Sequence, residues 1–286
     1  MFKGYDITTN NTVAVDLVER FCHSGIHLGQ SLNSFVKDSE LQIHAELDDF
    51  YFKEGILDGD LLQKSWFPFI EKSHIFLSHS HKDKVIAEQF AYICNTMLDV
   101  NVFIDSQVWG YADDLLRKID NKFCYQSDTG TYSYEARNKT TSNIYLMLQN
   151  SLNCMIDRSE CLLFLNTQNT LEDFNTNGEI DQRTSSPWVM SELQFSSLVR
   201  RREHPLANRA KDLTESQFNK SINASDSNTF EVSYKVSTDH LKKHNYNVIY
   251  NWLYHCVEQD LKGFDALTAL YQESFTDNLQ RLQVTQ

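Results

Sequence analysis

The stretch HIFLSHSHKDKVIAEQFAYICNTMLDVNVFID, residues 74–105, predicts the centre of the fold. It begins with an apolar run, His74-Ile-Phe-Leu-Ser78, and ends with another, Val100-Asn-Val-Phe-Ile-Asp105, and both have the length and residue types of buried strands. Between the two runs, apolar residues recur at helical spacing: Ile86, Phe90, Cys94 and Met97. A strand, a helix and a strand in this order imply a right-handed crossover between parallel strands.

The same order repeats further along the chain. An acidic helix is expected from Asp113 to Asp120, followed by an aromatic-rich loop that runs to Arg137. A second amphipathic helix leads to a third apolar run, Cys161-Leu-Leu-Phe-Leu-Asn166, and is marked by Ile144, Leu148, Leu152 and Ile156. The sequence therefore predicts an α/β fold with a doubly wound parallel sheet.

The eight residues Ser185-Ser-Pro-Trp-Val-Met-Ser-Glu192 mark the start of the next helix. Ser186 can cap the first turn, and Pro187 suits the first helical position. Trp188 and Glu192 are then i and i+4 neighbours, which sets an aromatic ring and a carboxyl one turn apart on one side of the helix.

Two flanking segments complete the predicted organisation. Residues 1–71 show weak helical periodicity and are expected to form a mainly helical N-terminal extension. The cluster Trp66-Phe-Pro-Phe-Ile70 is expected to pack this extension onto the α/β domain, residues 72–204. Residues 205–286 predict a polar loop, a strand at Phe230–Val236 and a helical C-terminal extension.

Composition and charge exclude several classes of function. A formal net charge of -13 opposes the binding of polyanions, so nucleic acid is not an expected partner. The six cysteines form no C-x-x-C pair, which suits a reducing compartment. No run approaches the roughly 18 apolar residues that span a bilayer, and charged residues occupy the N-terminal region where a signal peptide would be apolar. We therefore expect a cytoplasmic protein with no membrane partner.

Three motifs, in this order, resemble those of TIR domains, specifically the bacterial TIR-like proteins of anti-phage defence. They are Ile75-Phe-Leu-Ser-His-Ser-His-Lys-Asp83, Val102-Phe-Ile-Asp-Ser-Gln-Val-Trp-Gly110 and Ser186-Pro-Trp-Val-Met-Ser-Glu192. The resemblance covers roughly residues 72–203 and implies a TIR or flavodoxin-like fold. It leaves the fourth and fifth strands of such a sheet unplaced, and the segment from Tyr111 to Ser142 is long for a TIR domain.

The resemblance also implies an activity and a site. Such domains can cleave NAD between nicotinamide and ribose, with NAD as the substrate and no cofactor or metal. By this resemblance Glu192 is the catalytic residue and Trp188 its companion in the motif. The loops after the first and second strands would line the nucleotide pocket, and the other substrate-binding residues implied are Phe76, Ser78, Ser80, Asp83, Asp105 and Trp109.

Physical reasoning about the sheet and the leaving group agrees with this assignment. In an open α/β sheet, ligands bind outside the carboxyl ends of the strands, where Asp83, Asp105 and Glu192 are expected to converge. The nicotinium ring already carries a positive charge and leaves as a neutral molecule, so the reaction requires no general acid. A single carboxylate can stabilise the oxocarbenium-like centre.

Two alternatives remain open at this point. His79, His81 and Asp83 form an H-x-H-x-D pattern that metal-dependent hydrolases also use, and two imidazoles with a carboxylate could take zinc if further ligands came from elsewhere. The other alternative is a TIR scaffold that acts by self-association without catalysis. For the enzyme, the family implies a homo-oligomer and a downstream effector protein that senses an ADP-ribose-derived signal.

Overall fold

The computed structural model describes residues 1–9, 17–23, 25, 31–39, 50–53, 56–105, 112–176, 179–201, 232–273 and 275. The strands are β1 Lys3–Thr8, β2 Tyr51–Lys53, β3 Ile56–Leu57, β4 Ile75–Ser78, β5 Val102–Phe103, β6 Tyr125–Gln126, β7 Thr131–Tyr132, β8 Cys161–Asn166, β9 Glu172–Thr176, β10 Glu179–Thr184, β11 Tyr234–Lys235 and β12 Lys242–Asn245. The helices are α1 Leu17–His23, α2 Leu32–Ser39, α3 Gly59–Trp66, α4 Lys84–Leu98, α5 Ala112–Phe123, α6 Tyr134–Arg158, α7 Pro187–Leu198, α8 Tyr246–Glu258 and α9 Gly263–Gln272.

A five-stranded sheet forms the centre of the molecule, in the order β12-β1-β8-β4-β5. Every neighbouring pair in it is parallel. The sheet is flanked by helices, so the prediction of a parallel α/β fold is confirmed at this level, and the arrangement is compatible with a flavodoxin-like fold. The three strands predicted from the apolar runs are β4, β5 and β8, and they are adjacent.

The two faces of this sheet pack against different helices. Along β8, Cys161 and Leu163 belong to one buried cluster, together with side chains of α4, α8 and α9. Leu162 and Phe164 belong to a second buried cluster, with side chains of α5, α6 and α7. Because successive side chains of a strand point to opposite faces, a continuous apolar run is required where both faces are covered.

The sheet extends beyond residues 72–204 on both sides in sequence. β1, from the segment expected to be a mainly helical extension, lies between β8 and β12, and β12 comes from the C-terminal segment. The terminal segments therefore supply two strands of the central sheet that the sequence did not predict. Trp66 and Phe67 are 2% exposed and lie in the second cluster, as expected for a segment packed onto the sheet.

Smaller sheets decorate this core. β9, β10 and β11 form an antiparallel sheet just before and after α7, and β6 pairs with β7 in a hairpin within the predicted aromatic-rich loop. β11 covers only Tyr234–Lys235 of the strand predicted at 230–236, while the polar loop predicted before it lies outside the described residues. None of the described helices combines the length and apolar character needed to cross a membrane.

Candidate functional site at the carboxyl edge of the sheet

Glu192 lies in a buried position above the end of β4. Ser186 caps α7 by accepting a hydrogen bond from the backbone N–H of Val189, and Pro187 occupies the first turn, as the sequence predicted. This start sets Glu192 in the second turn of α7, where it is only 3% exposed. Its Oε2 accepts a hydrogen bond of 2.5 Å from the hydroxyl of Ser78, the last residue of β4.

The electrostatic surroundings of Glu192 favour its protonated form. Burial raises the pKa of this carboxyl well above its usual value, and the negative charge of Asp105 raises it further. The hydrogen bond from Ser78 lowers the pKa and offsets part of this effect. Two carboxyls from the ends of different elements thus interact at one edge of the sheet.

His79 and Asp105 lie side by side at this edge. Asp105 follows β5, and its Oδ1 is 4.0 Å from Nδ1 of His79. The His79 side chain is 1% exposed, and its Nδ1 lies 3.3 Å from the carbonyl oxygen of Leu77. The Nε2 atom of His79 is buried without a hydrogen-bond partner among the described residues. The set Ser78, Glu192, Asp105 and His79 is therefore contiguous.

Asp83 fastens two loops together. It ends a 3-10 turn that Ser80 caps, and it is 4% exposed. Its Oδ2 accepts a hydrogen bond of 2.6 Å from Thr167, and its Oδ1 accepts one of 2.7 Å from Asn169. Both carboxyl oxygens of Asp83 are thus engaged with the segment that follows β8, whereas Ser80 remains partly exposed.

The aromatic residues implied as substrate contacts pack within the protein. Phe76 is fully buried and stacks on Phe103, with ring centroids 5.3 Å apart. Trp188 is half-buried and lies against Tyr145 of α6, at 5.8 Å between centroids. Trp109 belongs to residues 106–111, which lie outside the described residues.

The three residues of the metal hypothesis have separate surroundings. His79 is buried beside Asp105, Asp83 is bonded to Thr167 and Asn169, and His81 is exposed. Across the described parts of the chain, no group of three or more His, Cys, Asp or Glu side chains could hold a metal ion.

Asp6 of β1 is a buried acid at this edge to which the sequence analysis gave no role. It is 2% exposed, and its register partner on β8 is Phe164, which is also the partner of Ser78 on β4. Asp6 comes near the site through the pairing of β1 with β8. No motif in the sequence between β1 and β4 links these two strands, so the sequence alone does not show this placement. An acid within the run Gly4-Tyr-Asp-Ile7 was the available signal.

A small cavity on the other face of the sheet is unrelated to this chemistry. It is lined mainly by apolar side chains, among them Ile7, Leu77, Phe90, Leu163 and Ile249. These residues belong to the cluster opposite to the one that contains the α7 contacts. Because the described residues that line this cavity are mainly apolar, we place the candidate site at Glu192.

Comparisons of the chain with models of protein families, with curated proteins and with solved structures gave no match. A buried carboxyl that receives one hydrogen bond and adjoins a second carboxyl can hold negative charge near a developing cation once it is deprotonated.

Proposed function

We propose that the protein cleaves NAD at the bond between nicotinamide and ribose, with Glu192 as the catalytic residue. The observation that carries this proposal is the position of the Glu192 carboxyl, bonded to Ser78 at the carboxyl end of a parallel strand and adjacent to Asp105. Ligands of open α/β sheets bind at this edge. The resemblance of the motifs to TIR domains supports the same residue.

The chemistry follows from the charge balance of the site. A positively charged nicotinium ring that approaches Glu192 favours the ionised carboxylate, and so opposes the effects of burial and of Asp105 on its pKa. As the bond to nicotinamide breaks, positive charge develops on the ribose, and the carboxylate stabilises it. The electron pair of the broken bond leaves with the neutral nicotinamide, so no acid is needed.

Three further features belong to the same proposal: the winding of the sheet, the opening of the site and the role of the protein in the cell. The sheet is doubly wound, and the site lies between β4 and β8. Because Glu192 is 3% exposed, turnover requires the elements that cover it to move apart, and self-association of protomers is the means by which we expect this to occur. The protein acts in the cytoplasm, in anti-phage defence, and its ADP-ribose-derived product signals to an effector protein.

Mass spectrometry of NAD incubated with the purified protein tests the proposal. We expect release of nicotinamide, and the mass of the second product separates hydrolysis, cyclisation and conjugation. The Glu192→Gln variant should lose about 100-fold to 1000-fold in rate. Glu135→Gln is the matched control, because the Glu135 side chain is 84% exposed on α6 and forms an ion pair with Lys139 at the surface. Equal rates in wild type and Glu192→Gln would refute the assignment.

A scaffold without catalysis is the second candidate, and the burial of Glu192 favours it. A carboxyl that is hydrogen-bonded inside the protein can serve the packing of α7 alone. The two functions differ in their response to the Gln variant. If concentrated and assembled protein leaves NAD intact, and the Glu192→Gln variant self-associates as the wild type does, the scaffold is the function.

A further inference from the structure

Asp6 has a buried carboxyl oxygen that no residue in the described part of the chain bonds. The residue is 2% exposed, and among the described residues its Oδ1 has no hydrogen-bond partner. Buried polar atoms in native proteins are nearly always hydrogen-bonded, and an unbonded one destabilises the folded protein. A residue that costs stability at such a position calls for a role outside the fold.

The sheet register directs Asp6 toward the candidate site. Asp6 pairs with Phe164 of β8, and Phe164 pairs with Ser78 of β4. Register partners in a parallel sheet point to the same face, so Asp6 and Ser78 lie on the face where Glu192 receives its hydrogen bond. Neighbouring strands are about 4.8 Å apart, so the Asp6 and Ser78 backbones are separated by roughly 10 Å.

The chemistry of this carboxyl oxygen determines which ligand groups can bind to it. A carboxyl group accepts hydrogen bonds, and a free acceptor of this kind is satisfied by a hydroxyl or amine donor. In nucleotide-binding α/β folds, an acid near the carboxyl end of a strand commonly bonds the hydroxyls of a ribose. NAD carries two riboses, and Glu192 is proposed to face only the one that bears nicotinamide.

We propose that Asp6 is a substrate-binding residue that accepts hydrogen bonds from the vicinal hydroxyls of a ribose of NAD. This inference rests on the proposed function and deepens it, because it brings the N-terminal strand into the substrate site. The interaction is made equally in the ground state and the transition state. Its loss therefore raises KM and leaves kcat nearly unchanged.

The test compares two buried aspartates: Asp6, whose Oδ1 has no hydrogen-bond partner among the described residues, and Asp120, whose two oxygens are both bonded. Asp6→Asn removes the charge at the unbonded oxygen, so the variant should unfold at the same or a higher urea concentration than the wild type. Its KM for NAD should rise about 10-fold to 100-fold, the loss expected for a hydrogen bond to a charged group. Asp6→Ala, which removes both oxygens, is the second variant.

Asp120→Asn is the matched control for burial. Asp120 is 4% exposed, and its oxygens accept hydrogen bonds from Arg137, Thr140 and Cys124. This variant should lose stability and keep the wild-type KM. Calorimetric titration with ADP-ribose adds a measurement of binding that does not depend on turnover, and the affinity should fall with Asp6→Asn alone.

Each other outcome identifies which proposal fails. If the wild type cleaves NAD and Asp6→Asn keeps its KM and its affinity for ADP-ribose, the role of Asp6 is overturned and the proposed function stands. The same holds if Asp6→Asn loses stability as Asp120→Asn does, with KM unchanged. If the wild type neither cleaves NAD nor binds ADP-ribose, the proposed function fails, and the assignment of Asp6 fails with it.

Discussion

Among the single residues of the site, Glu192 has a carboxyl whose pKa depends on opposing effects. Burial and the charge of Asp105 favour the protonated carboxyl, and the hydrogen bond from Ser78 favours the ionised one. The sum raises the pKa, so the ionised form is the less stable one inside the folded protein. A group of this kind links the stability of the fold to pH.

The first prediction concerns this linkage. Because the folded-state pKa of Glu192 is raised, its stabilising contribution is complete below the usual value of 4.5 and is lost as pH rises through the raised pKa. The Glu192→Gln variant has no such proton to lose. The advantage in free energy of unfolding that it has over the wild type should therefore grow from acidic to neutral pH.

Urea unfolding of the wild type and of Glu192→Gln, each at an acidic and at a neutral pH, measures this difference in the free energy of unfolding. The exposed Glu135→Gln substitution controls for the change of residue type. A difference between Glu192→Gln and wild type that does not change with pH would show that Glu192 titrates alike in the folded and unfolded states.

The motif implies that Asp83 binds the substrate, whereas its hydrogen bonds indicate that it stabilises the fold. Its oxygens are both bonded to the segment after β8, through Thr167 and Asn169. Asp83→Ala leaves the buried Thr167 hydroxyl without this acceptor, whereas the exposed Asn169 can bond water, and the change should lower the free energy of unfolding by about 1–3 kcal/mol. Thr167→Val tests the same contact from the other side. Unchanged unfolding midpoints in both variants would contradict this account.

The sequence predicted only some of the residues at this site. Ser78, Asp105 and Glu192 could be identified because each follows or lies near an apolar run, within a motif whose spacing is visible. The placement of Asp6 and Ser78 on either side of Phe164, on one face of the sheet, depends on pairing between strands that are far apart in the chain. Such register follows from tertiary packing, which a single sequence does not display.

At the scale of elements, polar anchoring shapes the segment between β5 and β8. Asp120 of α5 accepts hydrogen bonds from Arg137 and Thr140 of α6, and Tyr132 of the β6–β7 hairpin donates to Asn121. These contacts explain why the predicted aromatic-rich loop is ordered as a hairpin between two helices. The hydrogen bond from Tyr132 to Asn121 attaches the hairpin to α5.

The prediction at this scale is that Asp120→Ala loosens the hairpin. Burial raises the pKa of Asp120, but hydrogen bonds from Thr140, Arg137 and Cys124 together lower it below its usual value. The carboxylate therefore stabilises the fold above the usual value of 3.8, and this contribution is lost as pH falls through the lowered pKa. Asp120→Ala should lower the free energy of unfolding by about 1–3 kcal/mol at neutral pH.

Hydrogen exchange of the hairpin amides, measured against those of β8, checks the location of the effect. Exchange should accelerate in residues 124–133 and remain slow in Cys161–Asn166. Acceleration of equal size in both segments would mean that Asp120 supports the whole fold and not the hairpin.

The strands of the central sheet differ in how clearly their own sequences indicate strand structure. β8 is a continuous apolar run because both of its faces are covered, and it was recognised without difficulty. β12 reads Lys-Lys-His-Asn and is a strand only because it pairs with β1. β1 contains Gly4 and Asp6, which are rare inside strands. For these two strands, tertiary pairing overrides local propensity.

At the scale of the whole molecule, the sheet joins segments from both ends of the chain. β1 pairs with β8 along its length, from Lys3 with Cys161 to Thr8 with Asn166. On the face that carries Tyr5, helices α8 and α9 of the C-terminal segment contribute to the buried cluster. Residues 72–204 therefore lack one of the two neighbours of β8 and the part of the cover of this face that α8 and α9 provide.

The last prediction follows from this arrangement. A fragment of residues 72–204 should not unfold cooperatively, because β8 would become an edge strand with unpaired backbone groups, and the buried cluster that contains Cys161 and Leu163 would lose α8 and α9. Urea unfolding followed by far-ultraviolet circular dichroism compares the fragment with the full chain. In the full chain, Tyr5→Ala should cost about 3–5 kcal/mol, since Tyr5 is fully buried between β8 and the C-terminal helices. A sharp unfolding transition of the fragment, together with a small effect of Tyr5→Ala, would instead show that the motif-bearing segment folds alone and that the terminal strands are added to a finished domain.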